Sequence, residues 1–323
     1  MALSYEYSIG SVRAKEKSLL NSSDIEQMLS YNSEDELLRF LVDKGYGEGS
    51  NIDEVISAHT KDIWDYLKTV APDFDIFNVF LIQNDAHNLK VILKSIILDK
   101  RHDELLLSPF TIDTQLIKKA VEQKKFDILP EWLSAAAGEA YNIIAHKTDA
   151  RECDAVIDKA VMEQMIVLSK EPDSKFIEEY INTVVFYNNI KIALRSSRTN
   201  ASADFLDKAL CDVDEFRKTS VIAATLKGID FLMDELGKYS EYECDKAIEQ
   251  FKISPTAFEC FVDDKLTVMA KESCKRLSEG ADPLIGYYLG NEAEKKVIHI
   301  ISSGFKTNTD KDIIRERLRE IYG

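Results

Sequence analysis

The sequence predicts an all-α protein made of three diverged copies of one helical unit. Three observations carry this expectation. Chain breakers are sparse: twelve glycines and six prolines in 323 residues, with no glycine between Gly49 and Gly138. Turns and hairpins need residues that tolerate special dihedrals, so long stretches without them favour helices. Helix-start signals recur, and neither an Asn-Gly or Asp-Gly pair nor a sustained alternation of period two marks a hairpin. Finally, Asn88-Leu89-Lys90-Val91-Ile92-Leu93-Lys94-Ser95 returns as Asn189-Ile190-Lys191-Ile192-Ala193-Leu194-Arg195-Ser196, and more weakly as Val297-Ile298-His299-Ile300-Ile301.

Taken in chain order, Ser23 to Glu26 and Ser33 to Glu36 both read as capping boxes, in which a hydroxyl accepts from a free amide while the Glu reaches back. Gly45 to Ser50 is the one glycine-rich loop. It follows a helix and lacks the Lys-Ser/Thr pair of a phosphate loop, so it reads as a C-capping turn. After Pro72, the residues Phe74, Phe77, Leu81, Asp85, Asn88, Ile92 and Ile96 fall on one helical face. Asp85 and Asn88 are polar within this apolar stripe, and buried polar groups are costly unless paired. They therefore read as structural anchors that bond helix ends or each other. Ser108-Pro109, Ser254-Pro255 and Asp282-Pro283 each place a capping oxygen before a proline suited to the first helical position. The last helix is expected from about Thr309, with Asp312 in its first turn and Ile313, Ile314, Leu318 and Ile321 inward.

The repeat anchors Asn88 and Asn189 lie 101 residues apart, and Val297 follows Asn189 by 108. Glu294 stands three residues ahead of Val297, as Asp85 does ahead of Asn88. A proline precedes each anchor at a similar distance: Pro72 by 16, Pro172 by 17 and Pro283 by 14. The period is too long for a solenoid of short repeats and suits three small helical domains in a ring. The expected bounds are 1–120, 121–225 and 226–323, with the N-terminal segment packing on the C-terminal part.

The formal net charge of −16 repels nucleic-acid phosphates and anionic lipid, and no long basic stripe offsets it. Nucleic acid is therefore not an expected partner. The five cysteines are odd in number and include no Cys-x-x-Cys, which points to free thiols in a reducing cytoplasm. Met1 to Gly10 lacks the pattern of a signal peptide, and no apolar run approaches the length of a membrane span. Five scattered histidines without His-Glu-x-x-His, and the absence of a Gly-x-Ser-x-Gly elbow, leave no expected catalytic, cofactor or metal site. The acidic pairs Asp53-Glu54, Glu178-Glu179, Asp234-Glu235 and Asp263-Asp264 read as solvated helix faces.

Several segments, in order and spanning the chain, resemble one family. These are Tyr5-x-Tyr7 with Val12-Arg13-Ala14-Lys15-Glu16-x-x-Leu19-Leu20; Asp85 to Lys90; Asp282 to Leu289 followed by Glu292-x-Glu294; and Ile314 to Tyr322. Together they resemble the C subunit of V/A-type rotary ATPases, whose eukaryotic counterpart is the d subunit of the vacuolar enzyme. The sequence departs from the pattern at Phe186, where the first copy has Asp85, and at Val297 and His299 in the third. The resemblance implies three helical domains around a pseudo-threefold axis, shaped as a funnel. It also implies a non-catalytic rotor part, one copy per complex, on the cytoplasmic face of the membrane. Its partners would be the D and F subunits of the central stalk on one side and the membrane rotor ring on the other. Lys90, Lys94, Lys191, Arg195 and His299 follow the repeat anchors and are expected to offer basic groups to the central cavity or its rim. Two other readings compete: a cytosolic helical scaffold with unrelated partners, and a helical metal-dependent enzyme.

Overall fold

The computed structural model describes residues 4–97, 100, 102–147, 149–172, 174–213, 216–239, 242–277 and 279–323, so the first three residues of the N-terminal stretch lie outside it. The described residues form only helices and connecting segments, with no strand among them. The α-helices are α1 (Tyr5–Glu16), α2 (Ser22–Ser30), α3 (Glu34–Asp43), α4 (Ile52–Val70), α5 (Asn78–Ile97), α6 (Thr114–Gln123), α7 (Glu131–His146), α8 (Ala150–Leu168), α9 (Lys175–Thr199), α10 (Ala203–Ala209), α11 (Lys218–Lys227), α12 (Ile229–Leu236), α13 (Cys244–Ile253), α14 (Pro255–Cys274), α15 (Asp282–Lys306) and α16 (Lys311–Arg317). They group into two compact units: residues 1–74 with 246–323, and residues 75–245, the division falling within α13.

In the first unit both ends of the chain share one core. Leu20, Met28, Leu37, Leu41, Ile52 and Val55 from the N-terminal part meet Val297, Ile298 and Ile301 of α15, Ile314 of α16 and Ile321. Each such fully buried aliphatic side chain contributes about 1.5–3 kcal/mol. The final residues run as a non-helical tail against this unit, and Tyr322 is fully buried. Two glycines of α15 make room for it. A Cβ on Gly286 would lie 2.6 Å from the Tyr322 hydroxyl and 2.4 Å from Cys274 Cβ, and one on Gly290 would lie 2.9 Å from the Tyr322 ring.

The second unit is built around the long helices α5, α8 and α9. α7 packs along α8, α10 lies against both α8 and α9, and α11 and α12 lie on α9. Phe186 of α9, which replaces the acidic anchor of the first copy, stacks on Tyr242 with ring centroids 3.9 Å apart and meets Phe216 and Tyr239 edge-on. An aromatic cluster thus replaces a carboxylate as the means of holding the chain that follows α9.

Several helices start at other residues than the sequence predicts. The cap of α2 is Asn21 in a capping box with Asp24, two residues before Ser23. Ser33 caps α3 as expected, while the Glu36 carboxylate receives the Asn32 amide. Ser254 caps α14 with Pro255 in its first turn. Pro283 lies in the first turn of α15, but the residue before that helix is Ala281, and Asp282 is not the cap. Ser108-Pro109 starts no helix: α6 begins at Thr114 with Asp113 as its cap. Amides and carbonyls from Leu105 to Ile112 are bonded to side chains of α5, which occupies the groups a helix would need. Phe74 precedes α5 and its short 3-10 lead-in, so the stripe is α-helical only from Asn78. In α16, Ile314 is buried but Ile313 is exposed, because neighbours on a helix point about 100° apart; the helix stops at Arg317, and the tail, not the helix, carries Ile321 inward. Four of the cysteines are buried and Cys260 is half-buried, all with free thiols.

Candidate functional site

The repeat anchors perform one task in different chemistry. Asn88, fully buried on α5, donates from Nδ2 to the Leu107 carbonyl at 3.0 Å and accepts the Leu107 amide at 2.7 Å. Asn189, fully buried on α9, does the same to Cys211, at 2.9 and 3.0 Å. A carboxamide offers a donor and an acceptor side by side, so it pairs with a backbone residue as a neighbouring strand would. Each long helix therefore clasps a later loop: α5 the one that follows it, α9 the one after α10. Asp85 adds to the first clasp by accepting from the Thr111 and Ile112 amides at 2.9 and 3.0 Å, and from the Thr111 hydroxyl. Burial pushes its carboxyl above the usual range, and those bonds oppose the shift.

In α15 the clasping residue is Glu294. Its two oxygens accept the Leu20 amide and the Tyr46 hydroxyl. Local backbone delivers Tyr46 to this position. α3 ends at Asp43, Gly45 adopts a positive φ of 88°, and the Tyr46 amide then closes back onto the Leu41 carbonyl at 3.0 Å. The glycine-rich loop is thus the capping turn expected from its sequence. The Tyr46 ring stacks on His59 at 3.9 Å, and His59 Nε2 lies 3.2 Å from Asn291 Oδ1. Burial raises Glu294 to about 7 and lowers His59 below its ordinary value.

The basic candidates divide. Lys90, Lys191 and Arg195 line one groove of about 380 Å³ between α5, α8 and α9. Its floor includes Ala86, Val161, Met162, Met165 and Ile192, and His87 and Asp158 lie on its wall. Lys90 is ion-paired with Asp158, and one turn along Lys94 is paired with Asp154 at 2.7 Å. The pairing 90 with 158 and 94 with 154 shows that α5 and α8 run antiparallel. Lys94 therefore faces α8 and does not line the groove. His299 belongs to the other unit, 3.7 Å from Asp53, and burial lowers its pKa.

Among the described residues, no three His, Cys, Asp or Glu side chains gather as a metal site, and no helix is long and apolar enough to cross a membrane. What the arrangement offers is a set of loops tied to buried side chains and a groove lined by three cations, one carboxylate and an apolar floor.

The sequence pattern of the ATP synthase (C/AC39) subunit family matches residues 8–317. The chain belongs to this family. Its relatives are distant in sequence yet close in extent. It is 20% identical to the C subunit of the V-type sodium ATPase of Enterococcus hirae, over 96% of this chain and 97% of that one. It is 22% identical to the C subunit of the A-type ATP synthase of Methanocaldococcus jannaschii, over 97% and 86%. It is 23% identical to the C subunit of the V-type ATP synthase of Thermus thermophilus, over 73% and 76%. A member of the C/AC39 family is a part of a rotary ATPase, so the role of this chain is exercised within a complex. Asp154, Met162 and Met165 were not singled out by sequence reasoning. The i, i+4 spacing of Lys90 and Lys94, matched by the same spacing of Asp154 and Asp158, was the available signal. Leu105, Leu107 and Phe110 were also missed, although their loop is braced by Asn84, His87 and Asn88 and they stand exposed on it.

Proposed function

We propose that this chain is a non-catalytic rotor component that seats the central stalk, with its D and F subunits, over the membrane ring and passes torque between them. Three domains around a pseudo-threefold axis would form the socket, one copy per complex, held peripherally at the cytoplasmic face. The observation that carries this reading is the family match across residues 8–317, combined with long helices that clasp their loops in the same way. A joint under torque needs stiff loops, and side-chain clasps on buried backbone supply stiffness without a metal or disulfide.

Within this reading, the groove lined by Lys90, Lys191 and Arg195 receives an amphipathic helix of the stalk, its apolar side on Met162 and Met165 and its acids on the cations. Opposite charge across such a contact guides partner choice and association rate more than raw affinity. A tagged chain recovered from gently solubilised native membranes should bring down stalk and ring subunits together with ATP hydrolysis. Recovery from the cytosol without them would favour a free helical scaffold. Lys191→Glu with Arg195→Glu should lower stalk affinity by at least about tenfold with the helical content unchanged. Unchanged affinity would remove the groove from the interface.

A further inference from the structure

Glu294 is 1% exposed, and it differs from the two asparagine anchors in what it can give. Asn88 and Asn189 each satisfy one donor and one acceptor and are neutral at every pH. Glu294 receives two donors, the Leu20 amide and the Tyr46 hydroxyl, and neither carries charge. The ionisable groups facing it come from several elements. Asp24 of α2 is paired with Lys44 after α3 at 2.6 Å, so the Lys44 ammonium, whose field favours the Glu294 carboxylate, is already engaged. Tyr46 lies in the following loop, with His59 of α4 stacked on its ring. Tyr287 lies on α15 itself, within the electrostatic reach of both Glu294 and Glu16 of α1, and Glu16 is bonded to Arg13. Among the described residues no cation is ion-paired with Glu294, so a carboxylate here is buried without a counter-charge of its own.

We propose that Glu294 is a proton-controlled latch on the N-terminal segment, closed when the carboxyl holds its proton and weakened when it is ionised. In the neutral form Oε1 still accepts the Leu20 amide, while the Oε2 proton is donated to the Tyr46 oxygen. In the ionised form both donors remain, but the charge sits in a site that excludes water. Opening the latch lets water reach the carboxylate. The segment that is freed carries Leu20, Met28 and Leu37, the N-terminal share of the core built on α15. This inference goes beyond the proposed role in the rotor and does not depend on it.

The direction follows from the raised pKa. With 4.5 in the open state and about 7 in the closed one, the stabilisation is complete below 4.5 and is lost as pH rises through 7. Opening should become about tenfold easier between pH 6 and pH 8. Hydrogen exchange of the Leu20 amide in the full chain, corrected for intrinsic rate, reads this directly. The wild type should lose about tenfold protection from pH 6 to pH 8, while Glu294→Gln, which keeps the shape and cannot titrate, should stay level. The Cys211 amide, clasped by Asn189, serves as the internal reference and should not change. Equal slopes in wild type and variant, or a parallel loss at Cys211, would overturn the latch. So would a carbon-13 titration of the Glu294 carboxyl that places it near 4.5 in the wild type, a measurement that needs no variant to fold.

Discussion

The two clasps in residues 75–245 and the one in the other unit solve the same problem with different reach. Asn88 and Asn189 hold backbone 19 and 22 residues further along, within their own neighbourhood. Glu294 holds the Leu20 amide, 274 residues earlier, and so ties the start of the chain to its last long helix. A local clasp needs a donor and an acceptor because it meets a whole peptide group. The distant clasp meets two donors from different segments, and a carboxyl is the side chain that accepts twice. The difference teaches that the chemistry of a clasp follows its partner: the asparagine position of the first two copies holds Val297 in the third, the clasp passes to the acid three residues earlier, and pH dependence comes with it.

The most damaging way to break this comparison is to put the acid where the amide belongs. Asn189→Asp leaves the Cys211 carbonyl facing an oxygen in a fully buried site. We expect a loss of about 3 kcal/mol at pH 8, and a smaller one at pH 5, where the protonated acid can donate to that carbonyl. Urea unfolding at the two pH values measures it. Equal losses at both would mean that the hydrogen-bond chemistry of the clasp is unimportant and only its shape counts. A somewhat smaller effect is expected where the chain ends meet. Gly286→Ala drives a Cβ against Cys274 and Tyr322, which should cost about 2 kcal/mol and expose the Tyr322 phenol to solvent. An unchanged melting temperature with Tyr322 still buried would show that the tail yields freely and is no part of the closure.

The all-helical class, the buried polar anchors and the companionship of Lys90, Lys191 and Arg195 were legible because each rests on local periodicity or on repetition. Asn88 and Asn189 could be paired by their shared neighbours in sequence, and both hold a later loop. What was not legible depends on partners distant in sequence. Ser108-Pro109 has the residues of a helix start, but the backbone around it is already bonded to α5, so local preference is overridden by side chains about 20 residues earlier. The repeated word puts Lys94 beside Lys90 as a cation for the central cavity or its rim, yet the register of α5 against α8 turns it to Asp154, outside the groove. Glu294 could be matched to Asp85 by spacing, but nothing in spacing points to Leu20 or Tyr46. His299 shares a repeat position with Lys90 and Lys191 but lies in the other unit, beside Asp53.

The smallest expected effect sharpens the contrast between groups that hold the fold and groups available to a partner. Asp158 is half exposed, and its pair with Lys90 lies on the wall of the groove. Pairs of this kind contribute little to stability because water solvates both charges well when they part. Asp158→Asn should therefore change unfolding free energy by less than about 1 kcal/mol, far below the effect at the buried Asn189. The same substitution removes a negative charge from a groove lined by three cations, so its potential becomes more positive. If the groove receives an acidic stalk helix, the variant should bind the stalk a few-fold more tightly at low salt, with the gain shrinking as ionic strength rises and screening shortens the reach of the charge. Titration of purified stalk subunits at two salt concentrations measures this. Tighter binding that disappears at high salt would tie Lys90, Lys191 and Arg195 to the interface through charge. Weaker binding would mean that Asp158 itself meets a basic group of the partner, and the polarity assigned to the groove would have to be reversed.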